Sequence, residues 1–445
     1  MKDMSAVRGS FVKENEVART RGEIMLYGRS VNGTSCSFGL DDALLSRHSL
    51  IIGSNGVGKS NLYYSMLKPI MERMRQKQAA RSTRDTVIVF DVKGEFYQRF
   101  ADATKDVVVD NSISARSWAD KWNIFKELEV NAEAGRNASE RAVLINEAAN
   151  EIARELFADR GSKQQPFFAN AARDIFAAVL CYIIRFKPNF ANNRDMVSFV
   201  KGYASQVDMI DEIAAAMPDC AYIKSYVGNG TSGQALGVFA EFNSMLNDYF
   251  QGVFCEKGEL SMRRLVRDGG RVVFIKYDMS SGQVLTPVYR LLMDLALKES
   301  LTEHRDKRNV YVIADEFKRL PRMNYIEDAL NLGRSYGVKV IAAVQSVAQI
   351  SDSYGEEKGM VLLGGFTNVF GFRTNDCKSR DYLRDLFGRN LISEYYDTVS
   401  GRPTDREREG YTVEDWELTE LKVGEAVISL AEHKPFWFKF DEFFG

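Results

Sequence analysis

The chain has 445 residues, of which 45% are hydrophobic and 27% are charged, a composition that is ordinary for globular proteins and sufficient for a large core. The formal net charge of −2 excludes binding of nucleic acid through global charge, so any such contact depends on a local patch or an assembled pore. The five cysteines are far apart and form no CxxC pair, which argues against a disulfide scaffold and predicts reduced thiols in a cytosolic protein.

The first part of the chain predicts an arm, a hairpin and the beginning of an α/β domain. Residues 1–22 carry mixed charge with little periodicity and are predicted to form a flexible N-terminal arm. Short apolar stretches split by glycines predict a small β-hairpin within 23–47. The next predicted elements are a buried strand at 49–53, a helix at 59–78, a strand at 86–91 and a shorter strand at 107–109.

Helical patterns dominate between residues 125 and 262, which we interpret as an inserted all-α domain. The predicted helices there are 138–157, 167–186, 196–217 and 233–250. Strands return at 271–276, 310–314, 338–344 and 368–372, with a helix at 284–301, a polar loop at 400–415 and a closing hairpin at 425–440. Alternating strands and helices predict an α/β fold with a mostly parallel central sheet. Residues 23–124 and 263–445 are then the two parts of a nucleotide-binding domain.

The clearest chemical signal is a glycine-rich segment between the strand at 49–53 and the helix at 59–78. It reads Gly-Ser-Asn-Gly-Val-Gly-Lys-Ser and fits the phosphate-loop pattern G-x4-G-K-[ST]. Glycines let consecutive backbone N–H groups surround phosphates, and the positive end of the following helix favours the anion. In this pattern Lys59 contacts the β- and γ-phosphates and the Ser60 hydroxyl binds Mg²⁺. The predicted nucleotide-binding residues are Gly53, Ser54, Asn55, Gly56, Val57, Gly58, Lys59 and Ser60.

Two further strands end in polar residues that suit nucleotide hydrolysis. The strand at 310–314 is followed by Asp315 and Glu316, which we predict to bind Mg²⁺ and to polarise the attacking water, respectively. The strand at 338–344 is followed by Gln345, a residue suited to sensing the γ-phosphate or the water. Acids at the end of a buried strand are common in proteins, so this pair indicates nucleotide hydrolysis only because the chain also has a phosphate loop.

Asp91 and Lys93 lie where the strand at 86–91 ends. Ligands gather at the carboxyl ends of parallel strands, so we expect both residues near the nucleotide. The alternative is that they form only a helix N-cap and a turn.

The order of these motifs is typical of RecA-like motors, which work as rings with the nucleotide site between subunits. Such a site needs a cation from the neighbouring subunit to stabilise charge in the transition state. Arg334 is the first candidate, because we expect it at the active-site edge of the sheet but apart from its own phosphate loop. Arg373 is the second candidate, and the alternative for each is a structural ion pair.

Several segments together resemble the type IV coupling proteins of the HerA/FtsK group of motors, over about residues 40–440. Besides the phosphate loop, the matching segments occur in the order of that family. They are Arg47–Gly53, Phe90–Glu95, Trp122–Phe125, Pro166–Asp174, Asp315–Pro321, Ile326–Leu330, Gly333–Gly337 and Phe372–Asp376.

The resemblance implies a homo-hexameric ring that hydrolyses ATP with Mg²⁺ and is stimulated by DNA. It implies that the protein delivers a relaxase–DNA substrate to a type IV secretion channel used in conjugation. The DNA is then single-stranded or is the relaxase-bound transfer strand. The implied partners are DNA, a relaxase and components of the channel. The implied location is the cytoplasm, at the cytoplasmic face of the inner membrane when assembled, with the all-α domain receiving substrate.

The sequence departs from the family at a few points. Val92 stands where the family often has proline, and Phe168 stands where it often has tryptophan. Family members usually begin with transmembrane helices, whereas no stretch here approaches 18 consecutive apolar residues. Membrane association is therefore expected through partners or through a missing anchor. We also expect no long C-terminal tail for recruiting substrate.

Two other functions stay open at this stage. One is a recruitment ATPase of the same class that handles protein substrates rather than pumping DNA, and the other is a slow, nucleotide-switched assembly factor. A basic run after the phosphate loop bears on the choice, since it can contact phosphates or anionic lipids or be only a solvated helix end. Its members are Lys68, Arg73, Arg75, Lys77, Arg81 and Arg84, with Glu72 as the one acid among them.

Overall fold

The computed structural model of the chain describes residues 4–80, 84–161, 166–302, 308–397 and 403–443. The chain divides into two compact units. The first contains Met1–Phe90 and Glu303–Gly445, and the second contains Asp91–Thr302.

The helices and strands are numbered in chain order. The strands are β1 (Met4–Arg8), β2 (Ile24–Arg29), β3 (Ser35–Leu40), β4 (Ser49–Ile52), β5 (Thr86–Asp91), β6 (Val107–Asp110), β7 (Arg271–Lys276), β8 (Val310–Ala314), β9 (Val338–Val344), β10 (Asn368–Phe372), β11 (Arg389–Asp397), β12 (Pro403–Tyr411), β13 (Glu425–Ser429) and β14 (Phe436–Phe440). The helices are α1 (Asp42–Leu45), α2 (Lys59–Ala79), α3 (Glu95–Phe100), α4 (Ile124–Ala132), α5 (Ala138–Phe157), α6 (Phe167–Phe186), α7 (Asn193–Lys201), α8 (Gln206–Ala216), α9 (Lys224–Val227), α10 (Gly233–Tyr249), α11 (Met262–Asp268), α12 (Gly282–Ser300), α13 (Ile326–Asn331), α14 (Ala348–Tyr354), α15 (Glu356–Gly365), α16 (Cys377–Phe387) and α17 (Asp415–Glu420).

The first unit is built on a sheet with the strand order β3-β2-β14-β13-β10-β4-β9-β8-β5. Strands β10, β4, β9, β8 and β5 run parallel, and all their residues are buried. Their apolar runs are those expected of parallel strands that are covered on both faces. Ile52 lies opposite Val344, and Ala314 lies opposite Ala342. The carboxyl ends of β4, β9 and β8 are therefore neighbours at one edge of the sheet.

The antiparallel side of this sheet consists of two hairpins. Strands β2 and β3 form the hairpin predicted within 23–47, and β13 and β14 form the closing hairpin. Strand β13 pairs antiparallel with β10, so the closing hairpin joins the parallel strands at β10, which in turn pairs with β4.

A separate three-stranded sheet, in the order β1-β11-β12, differs from two sequence predictions. Within the arm predicted to be flexible, β1 pairs with β11, and the N–H of the buried Val12 donates to the carbonyl of Thr412 at 2.9 Å. Within the loop predicted at 400–415, β12 pairs antiparallel with β11 along its whole length. Both segments are polar, so local hydrophobic periodicity does not reveal their strands. Strand β1 pairs with a distant part of the chain, whereas β11 and β12 are close in sequence and pair with each other.

The second unit combines the parallel pair β6–β7 with helices α3 to α12. Helix α6 is its central element and packs against α5, α8 and α10. Within the described ranges, α6 is the one helix whose length and apolar composition would suit a membrane span, and 67% of its most apolar stretch is buried inside the protein.

The boundaries of the second unit are wider than the predicted insertion at 125–262, because β6, β7 and α12 belong to it as well. The predicted helix at 196–217 is two helices, α7 and α8. Helix α8 begins after Ser205, whose side chain accepts a hydrogen bond from the N–H of Val207, so an N-cap interrupts the apolar periodicity.

Glu127, just after the segment Trp122–Phe125, holds the two ends of the predicted insertion together with the help of Trp122. The buried carboxylate of Glu127 accepts hydrogen bonds from the Trp122 indole at 2.9 Å, from the Ser261 hydroxyl at 2.7 Å and from the N–H of Met262 at 2.6 Å. Glu127 thereby joins α4 to the beginning of α11. Burial raises the pKa of Glu127 against the opposing charge of Arg263 and these hydrogen bonds. This family segment therefore has a structural role.

Candidate active site

The phosphate loop connects β4 to α2 at the carboxyl edge of the parallel strands. Its first residues are held by neighbouring strand ends, since the N–H of Gly53 donates to the carbonyl of Val344 at 3.2 Å and that of Ser54 donates to the carbonyl of Arg373 at 2.9 Å. Farther along, the carbonyl of the buried Val57 accepts from the N–H of Gly424 at 2.9 Å. The loop is therefore anchored to the sheet at both ends.

Two glycines are needed for this path. A Cβ atom at Gly53 would lie 2.7 Å from the Cβ of Phe372, closer than side chains can approach. Gly58 has φ 108°, in the left-handed region that glycine adopts without strain. Asn55 and Gly56, at the tip, are exposed.

Lys59 begins α2, and its ammonium is turned back over the loop. It donates to the carbonyl of Gly53 and, at 2.8 Å, to the carbonyl of Ser54. The ammonium and the N-terminus of a 21-residue helix thus concentrate positive charge beside exposed backbone. These residues fit a phosphate group, and the half-buried Ser60 follows directly on α2.

The acidic pair and the glutamine come together on the next strands. Asp315 and Glu316 are half-buried and follow β8 directly. The side-chain amide of Gln345, directly after β9, donates to both carboxylate oxygens of Glu316 at 3.3 Å. The predicted sensor and the predicted water-activating acid are therefore in contact. A carboxylate and an amide side by side can hold and polarise a water molecule.

The loop after β9 is fastened to the beginning of α16 by groups that the sequence predictions did not include. Asp376 accepts from the Ser346 hydroxyl at 2.8 Å and from the N–H and hydroxyl of Ser379 at 2.8 and 2.6 Å. Burial raises the pKa of Asp376, but these hydrogen bonds outweigh it and the pKa is lowered overall. An aspartate directly before a helix is an N-cap signal that would have identified Asp376.

The two candidate arginines occupy different edges of the sheet. Arg373 directly follows β10, and its carbonyl contacts Ser54, so it lies beside its own phosphate loop. Arg334 is exposed and lies in a 3-10 turn that precedes β9. The turn is at the amino end of β9, about 20 Å from Gln345 for a seven-residue strand. The expectation that Arg334 lies at the active-site edge was wrong. Arg334 precedes β9, and β9 runs from the amino edge of the sheet to the carboxyl edge, where Gln345 lies.

Asp91 supports the turn that begins a helix in the second unit. Its buried carboxylate accepts from the N–H of Gly94 and from that of Tyr97, both at 2.8 Å. Burial raises its pKa, while these two hydrogen bonds oppose the change. The N-cap residue of α3 is Gly94, so the geometry favours a role for Asp91 in the turn that begins this helix, and Lys93 is exposed.

The basic run on α2 is largely paired within the first unit. The partners are Phe443, whose ring lies 5.4 Å from the Lys68 ammonium, Glu23 for Arg73, and Asp85, which is 3.6 Å from the Lys77 ammonium. Arg75 and Arg84 also have interactions, and Arg81 lies outside the described residues. This pairing favours a structural role for the run over a phosphate-binding surface.

Comparison with known proteins identifies the family. A family model for the type IV secretion-system coupling protein DNA-binding domain matches residues 38–429. The chain belongs to this family. Coupling protein TraD of Escherichia coli (strain K12) is 23% identical over an alignment of 354 residues, and the match covers 76% of this chain and 43% of TraD. The chain thus spans less than half the length of this coupling-protein relative.

Solved coupling-protein structures share the fold. The bacterial conjugative coupling protein TrwBΔN70, in its unbound monoclinic form, has a TM-score of 0.70 at 18% identity, covering 99% of this chain and 94% of that one. TrwB in complex with ADP and Mg²⁺ has a TM-score of 0.68 at 18% identity, covering 100% and 95%. The predicted fold, a RecA-like P-loop ATPase domain with an inserted all-α domain, is confirmed.

Proposed function

We propose that this coupling protein is an ATP-driven motor that hydrolyses ATP to ADP and phosphate. The observation that carries the proposal is the meeting of three groups at one edge of the sheet: the phosphate loop with Lys59 after β4, the acidic pair after β8, and Gln345 after β9, in contact with Glu316. A phosphate cradle beside a carboxylate–amide pair has the components needed for phosphoryl transfer to water.

Each residue has a proposed role. Mg²⁺, when bound, supplies positive charge that offsets the charge developing on the phosphate oxygens. Ser60 and Asp315 are its proposed ligands, while Lys59 binds the phosphates. Glu316 orients the water, and Gln345 holds Glu316 and senses the phosphate. The existence of TrwB complexes with ADP and Mg²⁺ supports the cofactor assignment.

The proposed working form is a homo-hexamer with an arginine supplied across the subunit boundary. Arg334 is exposed and distant from its own loop, which suits service to a neighbouring site. Arg373 lies beside its own loop and suits a role within the subunit.

The proposed cargo is DNA, delivered with its relaxase to a type IV secretion channel at the cytoplasmic face of the inner membrane. Membership of the coupling-protein family supports this assignment. The alternative is a recruitment ATPase with a polypeptide cargo. The basic run on α2 favours this alternative, because its side chains have partners within the protein and offer one surface fewer for contacts with DNA phosphates.

The deciding experiment measures steady-state ATP hydrolysis with no DNA, with single-stranded DNA and with double-stranded DNA, at several salt concentrations. We expect DNA to stimulate hydrolysis, and the stimulation to decrease with salt because phosphate contacts release counterions. Lys59→Ala serves as the control for contaminating ATPase. Lys59-dependent hydrolysis that no DNA stimulates would favour the protein-handling alternative.

A further inference from the structure

Tyr63 connects the phosphate-loop helix to the strand that carries the acids. It lies one helical turn after Lys59 on α2, and its side chain is 1% exposed. Its hydroxyl donates to the carbonyl of Ala314 at 3.0 Å. Ala314 is the last residue of β8 and directly precedes Asp315, so this hydrogen bond joins the backbone of the acidic turn to the helix that begins with Lys59.

The surroundings make this hydroxyl a committed donor. Burial raises the pKa of Tyr63 well above its ordinary value, and the charges of Asp315 and Glu316 raise it further. The hydroxyl therefore stays protonated and can donate at any pH at which the protein works. A phenylalanine would fill nearly the same space without the cost of burying a polar group, so the hydroxyl is not needed for packing.

We propose that Tyr63 is a positioning residue that holds the Asp315–Glu316 turn in register with the phosphate loop through the Ala314 carbonyl. The inference rests on the proposed ATPase function and adds to it a specific connection between Lys59 and the acids. Hydrolysis requires the water-orienting acid and the phosphate to be placed within a fraction of an ångström, because small displacements have large effects on rate. Binding of the nucleotide by the loop does not depend on this connection.

The chain provides a matched control on the same helix and strand. Arg73 of α2 donates to the hydroxyl of Tyr311 in β8, and Tyr311 is also buried. Tyr311 lies three residues before Ala314, away from the acids. Tyr63→Phe and Tyr311→Phe each remove one hydroxyl between α2 and β8, and they differ in whether the lost hydrogen bond adjoins the acidic turn. The Tyr63 hydroxyl also has a longer contact, at 3.5 Å, with the carbonyl of Ile341 in β9.

The test compares the two variants with wild type by ATP hydrolysis, by the Mg²⁺ concentration that gives half-maximal rate, and by melting temperature. We expect Tyr63→Phe to lower kcat about tenfold, corresponding to about 1.4 kcal/mol in the barrier, to raise the Mg²⁺ requirement, and to leave KM within about twofold. We expect the two variants to lower the melting temperature by similar amounts, and we expect Tyr311→Phe to leave kcat within about twofold. A role in stability alone would not separate kcat from KM in this way.

Wild-type kcat in Tyr63→Phe, or an equal loss of kcat in both variants, would overturn the positioning role while leaving the ATPase intact. Absence of Lys59-dependent hydrolysis in wild type would instead refute the proposed function and the inference together. If Tyr63→Phe does not fold, Tyr63→Met, which fills apolar space without a donor, replaces it in the comparison. Failure of both to fold would show that Tyr63 acts in packing and would also overturn the proposal.

Discussion

The amino and carboxyl edges of the parallel strands in the first unit satisfy their polar groups differently. At the amino edge, buried Lys339 near the start of β9 pairs with Asp42 at 3.0 Å and donates to the side chain of Asn309. Buried His48, just before β4, accepts from the N–H of Val340 at 3.1 Å. Lys339 and the Nδ1 atom of His48 therefore have partners within the same unit.

At the carboxyl edge, Lys59 and Glu316 have neutral hydrogen-bond partners. The Lys59 ammonium is held by backbone carbonyls, and Glu316 is held by the amide of Gln345 through two contacts at 3.3 Å. Neutral partners satisfy hydrogen bonds without neutralising charge, so these groups keep their capacity to bind an anion or orient water. The same strands thus have a stabilising edge and an edge prepared for chemistry, and substitutions at the two edges are expected to affect different measurements.

The largest expected effect is that of Lys59→Ala at the carboxyl edge. Hydrolysis is expected to fall to background because the variant removes the ammonium that stabilises the transferred phosphoryl group. The measurement is steady-state phosphate release, with melting temperature as the control for folding. Turnover like that of wild type would rule out ATP hydrolysis at this site.

Arg334→Ala is the variant that can break the comparison, since Arg334 lies at the amino edge. If it serves the neighbouring subunit, we expect hydrolysis to fall about 10³-fold while ATP binding stays nearly normal. Mixing Arg334→Ala with Lys59→Ala subunits is then expected to restore some activity, because some interfaces combine an intact loop with an intact arginine.

Arg373→Ala, in the same mixing experiment, is the control for the arginine assignment. Full DNA-dependent turnover in Arg334→Ala, or no rescue when mixed rings demonstrably form, would contradict a role across the boundary. A loss of only a few-fold would indicate that Arg334 props up the turn before β9.

Glu316→Gln sharpens the comparison by separating binding from chemistry. We expect it to bind Mg²⁺-ATP as wild type does and to hydrolyse it about 10²-fold more slowly, since the amide cannot accept a proton from water. Equilibrium binding of a fluorescent nucleotide and single-turnover hydrolysis measure the two properties. Loss of binding would show that Glu316 is structural or belongs to the metal site.

The smallest effect concerns His48 and is expected in stability rather than turnover. Burial lowers the pKa of His48 from 6.5 to about 4, and the charge of Lys339 adds to the effect. Between these values the unfolded chain binds a proton that the folded protein does not, so stability rises with pH across the window, by up to about 3 kcal/mol. Thermal unfolding from about pH 4.5 to pH 7 measures the slope.

His48→Asn is the matched control, because the position has φ 54° and asparagine tolerates left-handed backbone while having no charge to titrate. We expect this variant to show a flatter dependence on pH. An unchanged slope would mean that another group titrates, and altered ATP turnover would contradict the division between the two edges.

Much of the first unit was predictable because its signals are local. The buried strands β4, β8, β9 and β10 are continuous apolar runs, and the phosphate loop is defined by glycines and a lysine at fixed spacing. What escaped prediction depends on distant partners, as with the pairing of β1 to β11. The position of Arg334 also escaped prediction. Its place in the sequence between two active-site motifs suggested the carboxyl edge, but Arg334 precedes β9 and therefore lies at the amino edge.

The sequence by itself determined that this protein has a phosphate loop, an acidic pair and a polar residue at the ends of parallel strands, since strand periodicity and turn chemistry are properties of short segments. Only the tertiary structure decided which side chains meet. It brought Gln345 to Glu316, paired the basic run of α2, and connected Tyr63 to Ala314. These contacts join residues separated by as many as 375 positions in the chain, the separation of Lys68 and Phe443. Their geometry depends on how the helices pack against the sheet rather than on any local pattern.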